Sequence, residues 1–379
     1  MSAEGPPGTP SPASRVSSSS SAAATAAAPL LSVENLTVEL PADGVRRPAV
    51  RGVTFALEAG ESVALVGESG CGKTQLARAI LGLSPESARV TGAVRFGGRD
   101  LLALSDPQWR AVRGREIGLV FQEPASALDP VQTIGAQIDE TLRFHFDVSR
   151  AERRELALAA LRDVAFPDPE RALSEYPHRL SGGLRQRALL ALTLACGPAL
   201  LLADEPTASL DATVAAQVLD LLDRLRRERA LTLLLITHDL GAVAAHCDRV
   251  LVLYAGQIVE EADTTALFRS PAHPYTRGLL RSMPRVDSAA RERGRRYEVI
   301  PGVLADLSSR ETSLRGCAFA PRCSERFAPC EASPPDPYPT VAGRARCFLY
   351  GGTTPSGAPG GTTPSSAPGS ATASPGSRR

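Results

Sequence analysis

A short glycine-rich segment carries the chain's single lysine. Residues 67–74 read Gly-Glu-Ser-Gly-Cys-Gly-Lys-Thr, a complete GxxxxGK[ST] phosphate-binding loop. In such a loop the backbone N–H groups bind phosphate oxygens, the lysine reaches the β- and γ-phosphates, and the last hydroxyl binds Mg²⁺. The predicted chemistry is therefore binding of a nucleoside triphosphate. The candidate phosphate-binding residues are Gly67, Glu68, Ser69, Gly70, Cys71, Gly72, Lys73 and Thr74.

The lysine at position 73 is distinctive because the chain otherwise uses arginine as its cation, with 41 copies. A compact ammonium on a flexible stem can act as a point charge between phosphates, whereas the planar fork of arginine has a different shape. We therefore predict that Lys73 contacts the β- and γ-phosphates.

Two adjacent carboxylates follow a second apolar segment. Residues 200–203, Leu-Leu-Leu-Ala, predict a buried strand that ends at Asp204 and Glu205. The carboxyl ends of parallel strands meet at one edge of a sheet, where the phosphate loop also opens. Asp204 can then hold Mg²⁺, and Glu205 can orient the attacking water as a general base.

The elements that position these residues alternate between strand and helix. Apolar segments bounded by turn residues predict strands, and segments with helical periodicity lie between them. This alternation is typical of a mostly parallel sheet covered on both faces, the α/β class. The predicted strands are 62–66, 116–121, 200–203, 231–236 and 249–254, and the predicted helices include 73–80, 150–164, 184–195 and 214–227.

Composition limits the function classes. The chain has 379 residues, of which 43% are hydrophobic, and its formal net charge of +1 gives no general electrostatic footprint for nucleic acid. It contains no uninterrupted apolar run of about 18 residues, so no membrane-spanning helix is predicted. Small polar residues and prolines predict disorder in a lead over residues 1–29 and in a low-complexity tail over residues 351–379.

Residues 180–187, Leu-Ser-Gly-Gly-Leu-Arg-Gln-Arg, resemble the signature sequence of the ATP-binding cassette (ABC) ATPases. Other motifs stand in that family's order: Gln122 resembles the Q-loop glutamine, Ser209-Leu210-Asp211 the D-loop, and His238 the switch histidine. The resemblance implies a P-loop NTPase fold with a RecA-like parallel sheet core. It further implies an ABC ATPase domain over residues 30–270, with an inserted helical subdomain over about residues 123–197.

The same resemblance implies a dimer, because an ABC signature binds the nucleotide held by the opposite subunit. Ser181 is a good N-cap before two glycines and a helix, which makes an anion-binding helix end. With one loop and one signature, the chain must pair with itself or with a similar subunit. By resemblance, the ATP-binding residues outside the loop include Gln122, Ser181, Gly182, Gly183, Gln186 and Asp211. The resemblance implies that Mg²⁺ is held by Thr74, Gln122 and Asp204. It implies that Glu205 catalyses hydrolysis, supported by Lys73, Gln122 and His238.

Residues 271–350, here called the C-terminal extension, narrow the resemblance to one group of ABC ATPases. Pro-Ala-His-Pro-Tyr-Thr at 271–276 resembles the PxHPYT segment of oligopeptide, dipeptide and nickel importer ATPases. This implies a peripheral ATPase at the cytoplasmic face of the cell membrane that drives peptide uptake. The implied partners are two transmembrane permease subunits, a second ABC ATPase subunit and, indirectly, an extracytoplasmic solute-binding protein, with no nucleic acid.

Three alternatives remain open from the sequence. A nickel or other small-solute importer is the first, because the transported solute does not touch this subunit. A soluble ABC ATPase acting on nucleic acid or ribosomes is the second, although such proteins typically carry two cassettes or a long coiled-coil insertion. An inactive regulatory cassette is the third, and the intact Lys73 and Glu205 oppose it.

Four of the seven cysteines lie in the C-terminal extension: Cys317, Cys323, Cys330 and Cys347. Clustered cysteines in a reducing compartment favour metal over disulfide, but the spacing lacks CxxC pairs and does not choose the metal. Importers of the resembled family can hold a [4Fe–4S] cluster on a similar set. The interpretation ranks iron–sulfur ahead of zinc, with unligated thiols as the remaining alternative.

Leu40 departs from the family pattern. Most cassettes place an aromatic residue near the end of the first strand, where it stacks on adenine, and the corresponding position in this chain holds Leu40. Because leucine packs without stacking, we expect weaker adenine binding here.

Overall fold

The computed structural model describes residues 28–122, 127–283, 299–302 and 315–351. Most of the predicted lead (1–29) and tail (351–379) lies outside these residues. The strands of the described part are β1 (Leu31–Ala42), β2 (Val45–Leu57), β3 (Ser62–Val66), β4 (Arg89–Phe96), β5 (Arg99–Asp100), β6 (Ile117–Val120), β7 (Leu200–Asp204), β8 (Thr232–Ile236), β9 (Arg249–Tyr254), β10 (Gln257–Asp263), β11 (Pro337–Pro339) and β12 (Gly343–Arg346).

Helices connect these strands and form a separate group between β6 and β7. Short 3₁₀ turns add to them at Pro177–Arg179, Ala320–Arg322 and Phe348–Tyr350. The α-helices of the described part are α1 (Lys73–Ile80), α2 (Asp106–Val112), α3 (Ile134–His145), α4 (Arg150–Asp163), α5 (Pro169–Ala172), α6 (Gly182–Leu194), α7 (Ala212–Arg229), α8 (Leu240–His246), α9 (Thr264–Arg269), α10 (Pro274–Arg281) and α11 (Ala328–Ala332).

The main sheet has eight strands in the order β11-β12-β10-β9-β3-β8-β7-β6. Strand β3 pairs in parallel with β8 and β9, and β7 pairs in parallel with β6 and β8. Every residue of β3, β7 and β8 is buried, which explains why these strands are almost continuously apolar. The α/β prediction is confirmed, and each of the five predicted strands is present within two residues of its expected ends.

A second, antiparallel sheet has the order β2-β1-β4-β5. Strand β1 pairs with β2 on one side and β4 on the other. Its buried residues Leu31, Val33, Leu36 and Val38 share a hydrophobic core with residues of β3 and α1. This sheet therefore packs against the strand and the helix that flank the phosphate loop. The sequence interpretation included its first strand but not the sheet.

The helices α3, α4 and α6 form the body of the predicted helical subdomain, of which residues 123–126 lie outside the described ranges. Helix α4 begins where Ser149 and Glu152 form a capping box, in which each residue hydrogen-bonds with the backbone N–H of the other. Apolar residues of these helices, such as Ile138, Leu161 and Leu190, join the larger hydrophobic core that also includes the opposite face of the main sheet. The subdomain is thus packed onto the sheet edge near β6 and β7.

The C-terminal extension is joined to the main sheet. Its hairpin β11–β12 pairs antiparallel with β10, so that Glu260 of β10 lies opposite Ala345 of β12. The Glu260 side chain is 1% exposed and accepts the backbone N–H groups of Ala272 at 2.7 Å and His273 at 2.8 Å. A buried carboxylate is expensive unless it is hydrogen-bonded, so these two donors tie the start of the extension to β10.

Within the described ranges, no helix combines the length and the apolar character that crossing a bilayer requires.

Candidate nucleotide-binding site

The phosphate loop, residues 67–74, joins the end of β3 to the start of α1. Two of its glycines are required by close backbone contacts: a Cβ at Gly67 would lie 2.2 Å from the Leu253 carbonyl oxygen, and one at Gly72 would lie 2.4 Å from the Ala49 carbonyl oxygen. Gly72 also has a left-handed φ of 108° and caps α1 without any side-chain hydrogen bond. The N–H groups at the start of α1 therefore have no competing side-chain acceptor, as an anion site needs.

Lys73 lies inside the loop with 8% of its surface exposed. Its Nζ donates to the carbonyl oxygen of Gly67 at 2.8 Å and to that of Glu68 at 3.1 Å. The ammonium is held in the middle of the curve that the loop backbone makes. A phosphate in this curve would meet a charge whose hydration shell is largely removed, and such an interaction is stronger than one in water.

A cavity beside the loop brings together the three residues predicted to hold Mg²⁺. Thr74, Gln122 and Asp204 line it together with Arg78, Ala77, Leu119 and Phe121. Burial raises the pKa of Asp204 above its ordinary value, and the nearby Thr74 hydroxyl acts in the opposite direction with a smaller effect. Asp204 is 5% exposed, and its Oδ1 is buried without a hydrogen-bond partner.

That unpartnered oxygen is the observation that fits a cation. A buried carboxylate oxygen with no donor is costly, and a hard divalent ion would satisfy it together with the neighbouring hydroxyl and amide oxygens. The residues present therefore suit Mg²⁺, with Thr74, Asp204 and Gln122 as the groups that would hold it.

Arg78 was not selected from the sequence, although it lines this cavity. It lies four residues after Thr74 on α1, and residues with this spacing share one face of a helix. Its positive charge acts to lower the pKa of Asp204, against the larger effect of burial. The i,i+4 spacing from the loop threonine was a signal that could have identified it.

Glu205 and His238 are brought into contact across the ends of β7 and β8. The His238 Nδ1 lies 3.0 Å from Glu205 Oε1 and 2.8 Å from Oε2. The Glu205 side chain is 12% exposed whereas that of His238 is 70% exposed, so the histidine covers the carboxylate from the solvent side. Glu205 has a φ of 50°, a left-handed conformation that is uncommon for a residue with a side chain. This turn directly follows Asp204, the last residue of β7.

The predicted signature residues begin α6. Ser181 is the N-cap, and its side chain accepts the N–H of Leu184 at 3.4 Å. Ser181 and Gly182 are exposed, while Gly183 packs so closely on α7 that a Cβ would lie 2.6 Å from Val214 Cγ1. The helix end is therefore available to a ligand from outside this chain.

Gln186 differs from the other signature residues. It is 1% exposed in the interior between α6 and the rest of the protein, and its Nε2 has no hydrogen-bond partner. Its position one turn into the helix turns it to the buried face, so the sequence expectation of a direct ATP contact does not match its location. Asp211, in contrast, is exposed and caps α7 by accepting the N–H of Val214 at 3.0 Å.

Leu40 lies in β1 opposite Arg47 of β2, near the hairpin that joins these strands. It is partly buried and packs against the core that contains the residues of β3 and α1. The side chain thus provides an apolar surface on the sheet that covers the phosphate-loop region, without an aromatic face.

The four cysteines of the C-terminal extension line a single small cavity. Cys317, Cys323, Cys330 and Cys347 all border it, and the Cys317 N–H donates to the Cys330 carbonyl oxygen at 2.8 Å. Burial raises the pKa of Cys317 to about 11 and that of Cys347 to about 12. Among the residues that the structure describes, no group of three or more His, Cys, Asp or Glu side chains converges on one point as the ligands of a single ion.

Two residues of the C-terminal extension reach the phosphate loop. Arg322 forms a double hydrogen bond with the Glu68 carboxylate, and the Tyr275 hydroxyl accepts the Glu68 N–H at 2.9 Å. Tyr275 belongs to the family-like segment 271–276, and neither residue is among the site residues predicted from the sequence. No local pattern could have paired residues so far apart in the chain.

Two family models match separate parts of the chain. A family model described as "ABC transporter" matches residues 50–208. A second model, described as "Oligopeptide/dipeptide transporter, C-terminal region", matches residues 259–330. The first region contains the phosphate loop, the signature segment and Glu205, and the second contains Tyr275, Arg322 and the first three clustered cysteines.

Individual relatives extend these matches. The "Probable peptide ABC transporter ATP-binding protein y4tR" of Sinorhizobium fredii is 48% identical over 310 residues, which cover 81% of this chain and 90% of that protein. The dimeric post-hydrolysis structure of the ATP-binding cassette MJ0796 with bound ADP and Pi is 29% identical, with a TM-score of 0.56, and the match covers 62% of this chain and 98% of that one. The structure of cbiO1 from Clostridium perfringens, part of the transporter complex cbiONQ, is 25% identical, with a TM-score of 0.56, over 64% of this chain and 91% of that one.

Proposed function

Because this chain belongs to the ABC transporter family of ATP-binding proteins, we propose that it is the ATP-hydrolysing subunit of a membrane importer for di- and oligopeptides. The proposal is supported by the presence of two features in one chain. A phosphate loop, a buried Asp204 and a Glu205–His238 pair meet at one edge of the sheet, and an extension of the oligopeptide/dipeptide transporter type is packed onto the same sheet.

The residues of the site divide the work of hydrolysis. The loop N–H groups and Lys73 would bind the phosphates, and Thr74, Asp204 and Gln122 would hold Mg²⁺. A bound Mg²⁺ would supply positive charge that offsets the negative charge developing on the phosphates during hydrolysis. Glu205 orients the attacking water and accepts its proton, and His238 keeps the Glu205 carboxylate in place through their 2.8 Å contact.

A second cassette completes the site. The helix end at Ser181 and Gly182 is exposed, and such ends bind phosphate well. We infer that it binds the γ-phosphate of ATP held by a partner cassette, either another copy of this chain or a similar subunit. The MJ0796 cassette is dimeric in its post-hydrolysis structure, which supports this arrangement.

The other proposed partners are two permease subunits in the cell membrane, with this chain bound peripherally at the cytoplasmic face. The exposed Phe121 and Gln122 line the Mg²⁺ cavity and directly precede the predicted helical subdomain in the chain. A change in occupancy of the cavity would thus be transmitted to the surface of that subdomain, where a permease helix can bind. An extracytoplasmic solute-binding protein would deliver the peptide.

The experiment that tests the assembly is affinity purification of the full chain from detergent-solubilised native membranes, followed by mass spectrometry. We expect two polytopic permeases, a cassette chain and a solute-binding protein that carries peptide. Recovery of a nickel-binding protein instead would replace peptide by metal as the cargo. Recovery from the soluble fraction with ribosomes or DNA would contradict the transport function while leaving the ATPase intact.

We also propose that the four cysteines of the C-terminal extension bind a [4Fe–4S] cluster. They border one cavity, and a four-thiolate set is the usual donor set for such clusters. The four thiolates that line the cavity would hold the cluster. Burial disfavours the thiolates of Cys317 and Cys347, and bound iron would reverse that by supplying positive charge.

Metal analysis of anaerobically purified protein tests this proposal. We expect about four irons and four acid-labile sulfides per chain. Cys323→Ser should lose most of the iron, whereas Cys247→Ser, which changes a buried cysteine outside the cavity, should keep it. One zinc per chain, or no metal in protein that has never met oxygen, would contradict the cluster.

Leu40→Tyr is expected to strengthen ATP binding. An aromatic ring at this position can stack on adenine, and such contacts contribute about 0.5–1.5 kcal/mol, which corresponds to a roughly 2- to 12-fold lower Kd. Titration with a fluorescent ATP analogue measures the change. Leu83→Tyr, at an exposed leucine beyond the far end of α1, is the control and should leave the Kd unchanged. Equal Kd values for Leu40→Tyr and the unaltered chain would show that Leu40 does not lie beside the base.

A further inference from the structure

Glu68 of the phosphate loop is held by the C-terminal extension at two separate points. Arg322 donates to the Glu68 carboxylate through Nη1 at 2.8 Å and Nη2 at 3.1 Å, and the Glu68 backbone N–H donates to the Tyr275 hydroxyl at 2.9 Å. The carbonyl oxygen of Glu68 accepts Lys73 Nζ at 3.1 Å. One loop residue therefore joins the extension to the lysine that binds phosphate.

Arg322 is fixed before it reaches the loop. Its side chain is 7% exposed, and its Nε donates to the Pro301 carbonyl oxygen at 2.8 Å. The guanidinium carbon lies 5.9 Å from the Tyr254 ring centre and 6.0 Å from that of Phe319. A guanidinium held in this way offers a two-pronged donor in one orientation, so little freedom is lost when it pairs with the carboxylate.

Tyr275 is held just as firmly. It is fully buried, with its ring centre 4.6 Å from that of Tyr254 and 5.4 Å from that of Phe319. Tyr254 ends β9 next to the loop, and Phe319 comes from the C-terminal extension. The packing of Tyr254, Tyr275 and Phe319 thus fixes the position of the Tyr275 hydroxyl relative to the loop.

The charge of Glu68 gives these contacts a consequence for ligand binding. A carboxylate adjacent to the phosphate-binding N–H groups would repel a triphosphate, since like charges at short range disfavour each other. Arg322 balances this charge and turns the carboxylate towards the extension. The backbone carbonyl oxygens of Gly67 and Glu68 then keep Lys73 in place through their hydrogen bonds to its ammonium.

We propose that Arg322 and Tyr275 are positioning residues of the ATP site, through which the C-terminal extension sets the nucleotide affinity of the cassette. The inference rests on the proposed function only in that the site binds ATP. It assigns to the extension a direct role in the nucleotide site, in addition to any role of its cysteines.

Nucleotide titration of full-length variants tests the proposal, with a fluorescent ATP analogue as the probe. Arg322→Gln should raise the Kd about tenfold, because it removes a charge-assisted double hydrogen bond and leaves Glu68 unbalanced. Arg322→Lys, which keeps the charge but not the fork, should fall between. Tyr275→Phe, which removes only the hydroxyl, should raise the Kd roughly fivefold.

Arg344→Gln is the matched control. Arg344 also belongs to the extension and also pairs with a cassette glutamate, Glu261, but at β10 rather than at the loop. Glu261 keeps its second partner, Arg249, when Arg344 is changed. The control should bind the analogue with the Kd of the unaltered chain.

The two possible roles of Arg322 give different results. If it merely stabilised the fold, its loss would reduce the number of binding sites or the kcat, while the remaining sites would keep their Kd and KM. A positioning role raises Kd and the KM for ATP with kcat largely unchanged. An unchanged Kd in folded Arg322→Gln and Tyr275→Phe would overturn the proposal. An equal rise of the Kd in the control Arg344→Gln would also overturn it. If Arg322→Gln does not fold, the Kd of Tyr275→Phe decides. Failure of the unaltered chain to bind would instead refute the ATPase assignment.

Discussion

Glu205→Gln is expected to lower the rate of ATP hydrolysis by about 10²–10⁴-fold while ATP binding is retained. Glutamine has nearly the same size and can keep a hydrogen bond to His238, which lies 2.8 Å from the native carboxylate. It cannot accept the proton of the attacking water. Lys73, Thr74 and Asp204, which we propose to bind the phosphates and the metal, are unchanged in this variant. The variant should therefore accumulate as an ATP-bound dimer.

Two measurements check this result. Steady-state phosphate release gives the loss in rate, and size-exclusion chromatography with and without ATP detects the accumulated dimer. Glu228→Gln, an exposed glutamate on α7, is the control for removing a carboxylate and should behave as the unaltered chain. Hydrolysis at the unaltered rate in Glu205→Gln would remove Glu205 from the role of general base.

Lys73→Met is expected to weaken ATP binding by about 100-fold and to abolish measurable hydrolysis. The methionine keeps an unbranched stem but has no charge, so the hydrogen bonds to two phosphates are lost at about 1.5–3 kcal/mol each, partly offset by relaxation of the loop. Because the lysine is only 8% exposed, water cannot replace it efficiently. The effect on binding should exceed that of any other single change considered for this chain.

Titration with the fluorescent ATP analogue measures the loss. Arg89→Met removes an exposed cation from β4 and should leave the Kd unchanged. Lys73→Arg tests whether the charge alone is sufficient or the shape of the cation also matters. The guanidinium keeps the positive charge, but it is larger than the ammonium that donates to the carbonyl oxygens of Gly67 and Glu68. Tight binding by Lys73→Arg would indicate that charge alone suffices at this position.

The parts of the fold that could be predicted from the sequence are those with local signals. The phosphate loop is one continuous segment, and buried parallel strands such as β3 and β9 are apolar along nearly their full length, so their ends matched the prediction. The antiparallel sheet of β1, β2, β4 and β5 is half-exposed and includes register shifts, so its strands carry a weaker pattern. Its packing on α1 depends on contacts between distant segments.

The candidate site follows the same division. Asp204 and Glu205 could be placed because the end of a buried parallel strand fixes where its next residues lie. Arg322 and Glu68 are 254 positions apart, and nothing in either neighbourhood indicates that they pair. Gln186 was assigned by its motif, but the helical repeat of α6 puts it on the buried face. A motif identifies a segment, whereas the period of the element decides which of its side chains face a ligand.

The attachment of the C-terminal hairpin to β10 affects how the protein can be shortened. A chain that ended near residue 270 would contain every motif of the nucleotide site, yet β10 would lose its neighbour β12 and become an open edge strand. The Glu260 carboxylate would also lose both of its backbone donors. Exposed strand edges are templates for pairing with other chains, so such a minimal cassette would aggregate. Biochemical work on an isolated cassette should therefore keep the residues through β12.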